Sequence, residues 1–94
     1  MNLHIDVTAD ALRVRGELDL SSAGWLHDSI ANHPRATGAL VLDLEGVTFI
    51  DSTGLAELIR PTRAGRAVVL RRPSRQVRTL LDLTAVSSLF DVVD

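Results

Sequence analysis

Two hydroxyls, a carboxylate and a glycine stand together at Asp51-Ser52-Thr53-Gly54. The apolar run Val47-Thr48-Phe49-Ile50 leads in, and Leu55, Leu58 and Ile59 follow at helical spacing. The polar side chains therefore fall where a strand hands over to a helix, beside the positive end of that helix. Several chemistries fail on spacing. A hydrolase elbow requires Gly-x-Ser-x-Gly, and Ile50 occupies the first of those positions. A P-loop requires a Gly-Lys pair, and the chain has no Lys. An aspartic-protease triplet is Asp-Ser/Thr-Gly, one residue shorter than this run. His4, His27 and His33 form no HxxxH pair, and His27 and His33 fall about 120° apart on a helical wheel, so zinc is not expected. The chain is read as a non-enzyme without cofactor or metal.

What remains is capping or modification. Asp51 or Ser52 can accept hydrogen bonds from the free N–H groups of the first helical turn, worth on the order of 1 kcal/mol. Gly54 is poorly explained by capping alone, because Gly inside a helix costs up to about 1 kcal/mol relative to Ala. A close approach to its backbone, by a neighbouring loop or by a partner, would explain it.

The elements around the motif follow from periodicity. Leu3 to Val7 and Leu12 to Arg15 alternate apolar and polar across a short turn, which predicts a hairpin closed by Gly16. Asp19, Ser21 and Ser22 offer N-caps for a helix with Leu20, Ala23, Leu26 and Ile30 on one stripe. Trp25 falls opposite that stripe. It either lies over a neighbouring element or stands exposed as a partner anchor. His33-Pro34 ends this helix and residues 35–38 form a loop. Residues 39–44 are nearly all apolar, as in a central strand, with Asp43 near the end. In the next helix Leu55, Leu58, Ile59 and Thr62 share the inner face, Thr53, Glu57 and Arg60 the outer, and Pro61 limits its length. Residues 67–70 make another buried strand. Pro73-Ser74 opens a third helix with Val77, Leu80, Leu81 and Thr84 inward, and residues 89–93 make a last strand.

The order β-β-α-β-α-β-α-β predicts a small α/β domain with a mixed sheet of about five strands and helices mainly on one side. The 94 residues are expected to form a single domain, 1–94. Without Cys there is neither a disulfide framework nor a thiolate metal site. No signal peptide and no apolar run near the roughly 18–20 residues of a membrane span are visible, so a cytoplasmic location without membrane insertion is expected. Net charge is −2, unevenly spread. Residues 1–59 hold nine acids and three Arg, whereas residues 60–94 hold seven Arg and three acids. The basic half lacks aromatic stacking residues, so a charged protein-facing or solvated surface is favoured over direct nucleic-acid contact.

Gly16-Glu17-Leu18-Asp19, the strand ending Leu42-Asp43-Leu44, and Phe49-Ile50-Asp51-Ser52-Thr53-Gly54-Leu55 together resemble the STAS domain, and within it bacterial anti-sigma factor antagonists. The run Val77 to Thr84 followed by Leu89-Phe90 resembles the family's third helix and last strand, so the likeness spans roughly 2–93. The resemblance implies partner switching. Ser52 holds the position phosphorylated by an anti-sigma factor that is also a serine kinase, and Thr53 is the second candidate. Unphosphorylated antagonist binds the kinase, phosphorylated antagonist is released, and a phosphatase restores it. Asp19, Ser21, Asp51, Ser52, Thr53, Gly54, Leu55 and Glu57 are the implied partner-binding residues, with Asp19 and Asp51 matching acids that flank the serine. Asp43 is a further acid that could stand near Ser52. The chain is expected to be a monomer or weak dimer. Two departures from the pattern are the short, Pro61-interrupted second helix and the stop at Asp94, where many members add a helix. The alternative is a STAS subunit or scaffold without the switch, as in a lipid-transport ABC system or a stressosome-like assembly.

Overall fold

In the computed structural model, residues 2–33 and 38–94 are described; Pro34 and the expected loop residues 35–37 fall outside them. β1 (Leu3–Val7) and β2 (Leu12–Leu18) form the expected hairpin, with Val7 opposite Leu12 and Leu3 opposite Gly16. Thr8 builds the turn: its Oγ1 accepts the Ala11 N–H at 3.0 Å, and its N–H donates to the Ala11 carbonyl at 2.9 Å. Gly16 does not close β2. At φ 106° it carries the strand on to Leu18, and a Cβ there would lie 2.0 Å from the Asn2 carbonyl oxygen.

Three crossovers follow: α1 (Ala23–Ala31) to β3 (Leu40–Ile50), α2 (Ser52–Arg63) to β4 (Val68–Arg71), and α3 (Arg75–Thr84), with a 3-10 turn at Ser87–Leu89, to β5 (Asp91–Val93). The sheet order is β1-β2-β3-β4-β5, antiparallel at β1/β2 and parallel thereafter. Each crossover steps the same way across the sheet, so right-handed connections carry all three helices to one face. Alternation in the strands agrees. Leu12 and Val14, Leu40, Leu42 and Leu44, and Val68 and Leu70 enter one core with Leu26, Leu58, Val77 and Leu81 of the helices. The intervening residues Arg13, Arg15, Asp43, Glu45 and Arg71 make an open, charged second face.

β3 is longer than the apolar run 39–44 suggested: it continues through Glu45 and Gly46 to Ile50. Its register against β2 slips twice. Arg13 and Arg15 face Asp43 and Gly46, and Gly16 and Glu17 face Val47 and Phe49, so β3 gains one residue at each place. These are β-bulges, which turn side chains over. The core set therefore shifts from Leu40, Leu42 and Leu44 to Val47 and then Ile50, and Phe49 faces solvent at 48% exposure. Gly46 sits in the first bulge, where a Cβ would meet the Arg15 side chain at 2.7 Å. β4 ends opposite Asp43, so the second half of β3 runs on beyond it. α3 starts there, with the Ser74 N–H donating to the Leu44 carbonyl at 3.2 Å.

Asp43 is not beside Ser52. It pairs with Arg13 and Ile50 pairs with Leu18, five steps along β2, which sets the two roughly 17 Å apart at about 3.3 Å per residue. Its side chain, 1% exposed, is held on the open face by Arg72, by Arg71 Nε at 3.5 Å and by the Glu45 N–H at 3.2 Å. Burial pushes its pKa up, but the Arg72 hydrogen bond, the Glu45 N–H and the two guanidinium charges outweigh this and hold it below the ordinary value.

Candidate functional site

The site is the corner where the C-terminal ends of β2 and β3 meet the starts of α1 and α2. Asp51 is its keystone. Extended at φ −112°, it caps α2: Oδ1 accepts the Gly54 N–H at 2.9 Å. Its Oδ2 accepts the Leu20 N–H at 3.3 Å, and its own N–H donates to the Leu18 carbonyl at 3.3 Å. One carboxylate thus ties the turn after β2 to the first turn of α2. Gly54 explains how close the two can come. A Cβ at Gly54 would lie 2.3 Å from the Leu18 carbonyl oxygen, so the close approach is made by the neighbouring strand end.

The turn after β2 is held by its own polar groups. Asp19 Oδ1 accepts from the Ser21 N–H at 2.9 Å and from Ser21 Oγ at 2.6 Å. The Ser21 hydroxyl foremost keeps the Asp19 carboxyl below its usual range. Ser22 Oγ, buried, donates to the Glu17 carbonyl at 2.8 Å and accepts the Asp19 N–H at 3.0 Å. These side chains bond locally and do not cap α1, which starts only at Ala23. Leu20 is therefore not on the inner stripe expected of it. It lies in the turn, 77% exposed.

Ser52 is the first residue of α2 and is exposed; its hydroxyl makes no hydrogen bond among the described residues. Thr53 beside it is partly buried. A shallow groove of about 470 Å³ next to them is lined by Asp19, Leu20, Ser21, Phe49 and Asp51. The corner thus brings together Asp19, Ser21, Asp51, Ser52 and Thr53. Gly54 and Leu55 turn inward and shape it from beneath. Glu57 is not on an outer face. It is buried against α1, with Oε2 3.2 Å from His27 Nδ1 and Oε1 accepting from Arg60 at 3.1 Å. The packing of α1 across α2 covers that flank. Pro61, also buried, lies inside α2, which runs on to Arg63 for 12 residues, a little over three turns.

Leu20 is misplaced by periodicity, and Phe49 is left without a face. Gly46, inside an otherwise strand-like run, signals the first bulge, which turns Val47 inward; the second bulge, between Val47 and Phe49, leaves Phe49 outward. Trp25 is also exposed, on the free side of α1. Among the described residues no helix is long and apolar enough to cross a membrane, and no group of three His, Cys, Asp or Glu is placed to hold a metal ion.

The same architecture is found in known proteins. The crystal structure of a candidate anti-sigma factor antagonist from Thermotoga maritima superposes with a TM-score of 0.76, covering 98% of this chain and 86% of that one at 19% identity. The anti-sigma factor antagonist SpoIIAA in its unphosphorylated form gives 0.71, over 98% and 88%, at 20% identity. In sequence, the chain is similar to the anti-sigma-B factor antagonist of Bacillus subtilis (strain 168), 25% identical over 98% of this chain and 92% of that protein. A family model described as "Mlab, STAS domain" matches residues 1–93. With its hairpin, three one-way crossovers and the Asp51-capped corner, the chain belongs to the STAS domain family.

Proposed function

We propose that this chain is an anti-sigma factor antagonist whose Ser52 is the switch. It binds an anti-sigma factor with serine kinase activity while Ser52 is free, is released when that kinase phosphorylates Ser52, and is reset by a phosphatase. The observation that carries this is the hydroxyl of Ser52: exposed, without an internal partner among the described residues, and fixed by the Asp51 cap on the first residue of a helix. Similarity to the Bacillus anti-sigma-B factor antagonist supports the same role.

The corner suits a modification that alters binding and spares the fold. A phosphate adds about −1.5 to −2 charges at pH 7. At the start of α2 the helix dipole favours that charge, so α2 stays folded. Towards a partner the effect is opposite. The carboxylates of Asp19 and Asp51 already line the groove, and a dianion beside them meets repulsion and desolvation in a site formed around a neutral hydroxyl. A loss of about 3 kcal/mol weakens binding roughly a hundredfold.

Incubation with ATP and each serine-kinase anti-sigma factor of the source organism tests this, read by intact mass and peptide mapping. One phosphate on Ser52 is expected. An unchanged mass with every such kinase, together with stable co-purification with a transporter ATPase, contradicts it. That outcome points to the second reading, a STAS subunit of a lipid-transport ABC system or a stressosome-like scaffold.

A further inference from the structure

Phe49 lines two grooves at once. One is the groove beside Ser52. The other, about 440 Å³, runs between the end of β3 and α3, with Ile50, Arg75, Leu80 and Leu83 in its walls. Leu83, on the last turn of α3, is 78% exposed. Leu20, Phe49 and Leu83 thus stand along a path that starts at Ser52 and crosses onto α3.

The corner alone offers a partner few polar handles. Asp51 spends one bond of each oxygen on the Gly54 and Leu20 N–H groups, and Asp19 accepts from Ser21 through Oδ1. Those bonds hold the shape of the corner, and the apolar side chains beside it offer a partner area to bury. Phe49 is turned outward by a bulge, a local backbone feature with no packing benefit for Phe49 itself. Arg75 is the first residue of α3, where the helix dipole disfavours a cation. It makes no ion pair or side-chain hydrogen bond among the described residues. A carboxylate from outside would complement it.

We propose that the surface recognised by the Ser52 kinase extends across Phe49 onto α3. The partner seats an aliphatic or aromatic side chain between Phe49 and Leu83 and sets a carboxylate against Arg75. This rests on the reading of Ser52 as the kinase's target. A second copy of this chain is a poorer occupant, because a two-fold contact of this patch with itself brings Arg75 towards its own counterpart.

Leu83→Glu and Arg75→Glu test the extension, with Val7→Glu as control. Val7 is exposed too, but it ends β1 opposite Leu12, at the far end of β2 from the corner. Binding of each variant to the serine-kinase anti-sigma factor that binds the wild-type chain is measured by calorimetry, after thermal unfolding confirms the fold. Leu83→Glu and Arg75→Glu are each expected to raise Kd at least tenfold and Val7→Glu to leave it unchanged. The same two variants raise KM for Ser52 phosphorylation and leave kcat unchanged, because they lie away from the reacting hydroxyl. Wild-type Kd in both, with phosphorylation of Ser52 still weakening binding, overturns the extension and leaves the Ser52 reading intact. Absence of wild-type binding to any such kinase removes both. A wild-type dimer in sedimentation that Leu83→Glu dissociates, with kinase binding unaltered, makes the strip a self-interface and overturns the proposal.

Discussion

Gly54→Ala should destabilise this protein although it improves helix propensity. Alanine in a helix interior is favoured over Gly by up to about 1 kcal/mol, so propensity alone predicts a more stable variant. The new Cβ, however, falls 2.3 Å from the Leu18 carbonyl oxygen and 3.0 Å from its carbonyl carbon, and backbone atoms of β2 cannot rotate away. The start of α2 must therefore move out by about 1 Å to reach ordinary contact. Overpacking of this kind costs about 1–3 kcal/mol. The shift also stretches the Asp51–Gly54 cap, itself worth about 1 kcal/mol. Against the propensity gain, a net loss of about 1–3 kcal/mol remains. For a domain of this size each kcal/mol moves Tm by roughly 4–8 °C, so a fall of about 5–20 °C is expected in thermal unfolding followed by circular dichroism. Gly24→Ala is the matched control: Gly24 lies in α1, and a Cβ there would meet nothing within 4 Å, so its Tm should rise by a few degrees. An unchanged or raised Tm for Gly54→Ala would refute the close approach at the corner.

Three further outcomes follow from particular groups. Asp43→Asn should lower stability at pH 6 by about 1–3 kcal/mol, because it leaves Arg71 and Arg72 facing a neutral amide. The pKa of Asp43 is depressed by folding, so its contribution is complete above the unfolded value of about 3.9 and is lost as pH falls through the folded value. Urea unfolding of wild type and Asp43→Asn should therefore diverge at pH 6 and converge under strongly acidic conditions. Glu57→Ala should cost about 1–2 kcal/mol, and a double-mutant cycle with His27→Ala should show coupling of about 0.5 kcal/mol or more across the α1–α2 contact. Additive losses would show that the contact does not link the helices. Phe49→Ser should change Tm by less than about 2 °C, as an exposed side chain does, while kinase binding weakens; a large fall in Tm would mean that Phe49 serves the core.

Much of this fold is legible because alternation and helical spacing are strong signals in residues 3–7, 12–15, 67–70 and 75–81, although Thr84, expected inward, is exposed. The corner is legible too, since Asp51, Gly54 and Leu55 carry cap, close approach and core within five adjacent places. The failures share one cause: periodicity assumes regular geometry, and this site is irregular. Leu20 fits a helical stripe on the wheel, but Asp19, Ser21 and Ser22 satisfy one another and delay α1 by three residues. Phe49 and Asp43 lie on a strand whose two bulges and length of 11 residues no alternation pattern announces. Glu57 looks like a solvent-facing acid until a second helix is laid over it. Gly54 signals a close contact in the sequence itself, and only the folded chain assigns that contact to Leu18.

The affinity of the serine-kinase anti-sigma factor for this chain before and after phosphorylation of Ser52 tests the central claim most directly, measured by calorimetry beside Ser52→Ala. Tight binding is expected for the unmodified chain and for Ser52→Ala, and a Kd raised roughly a hundredfold by the single phosphate, with the circular dichroism spectrum unchanged. Equal affinities for the two forms, or a phosphorylated chain that has unfolded, would contradict it.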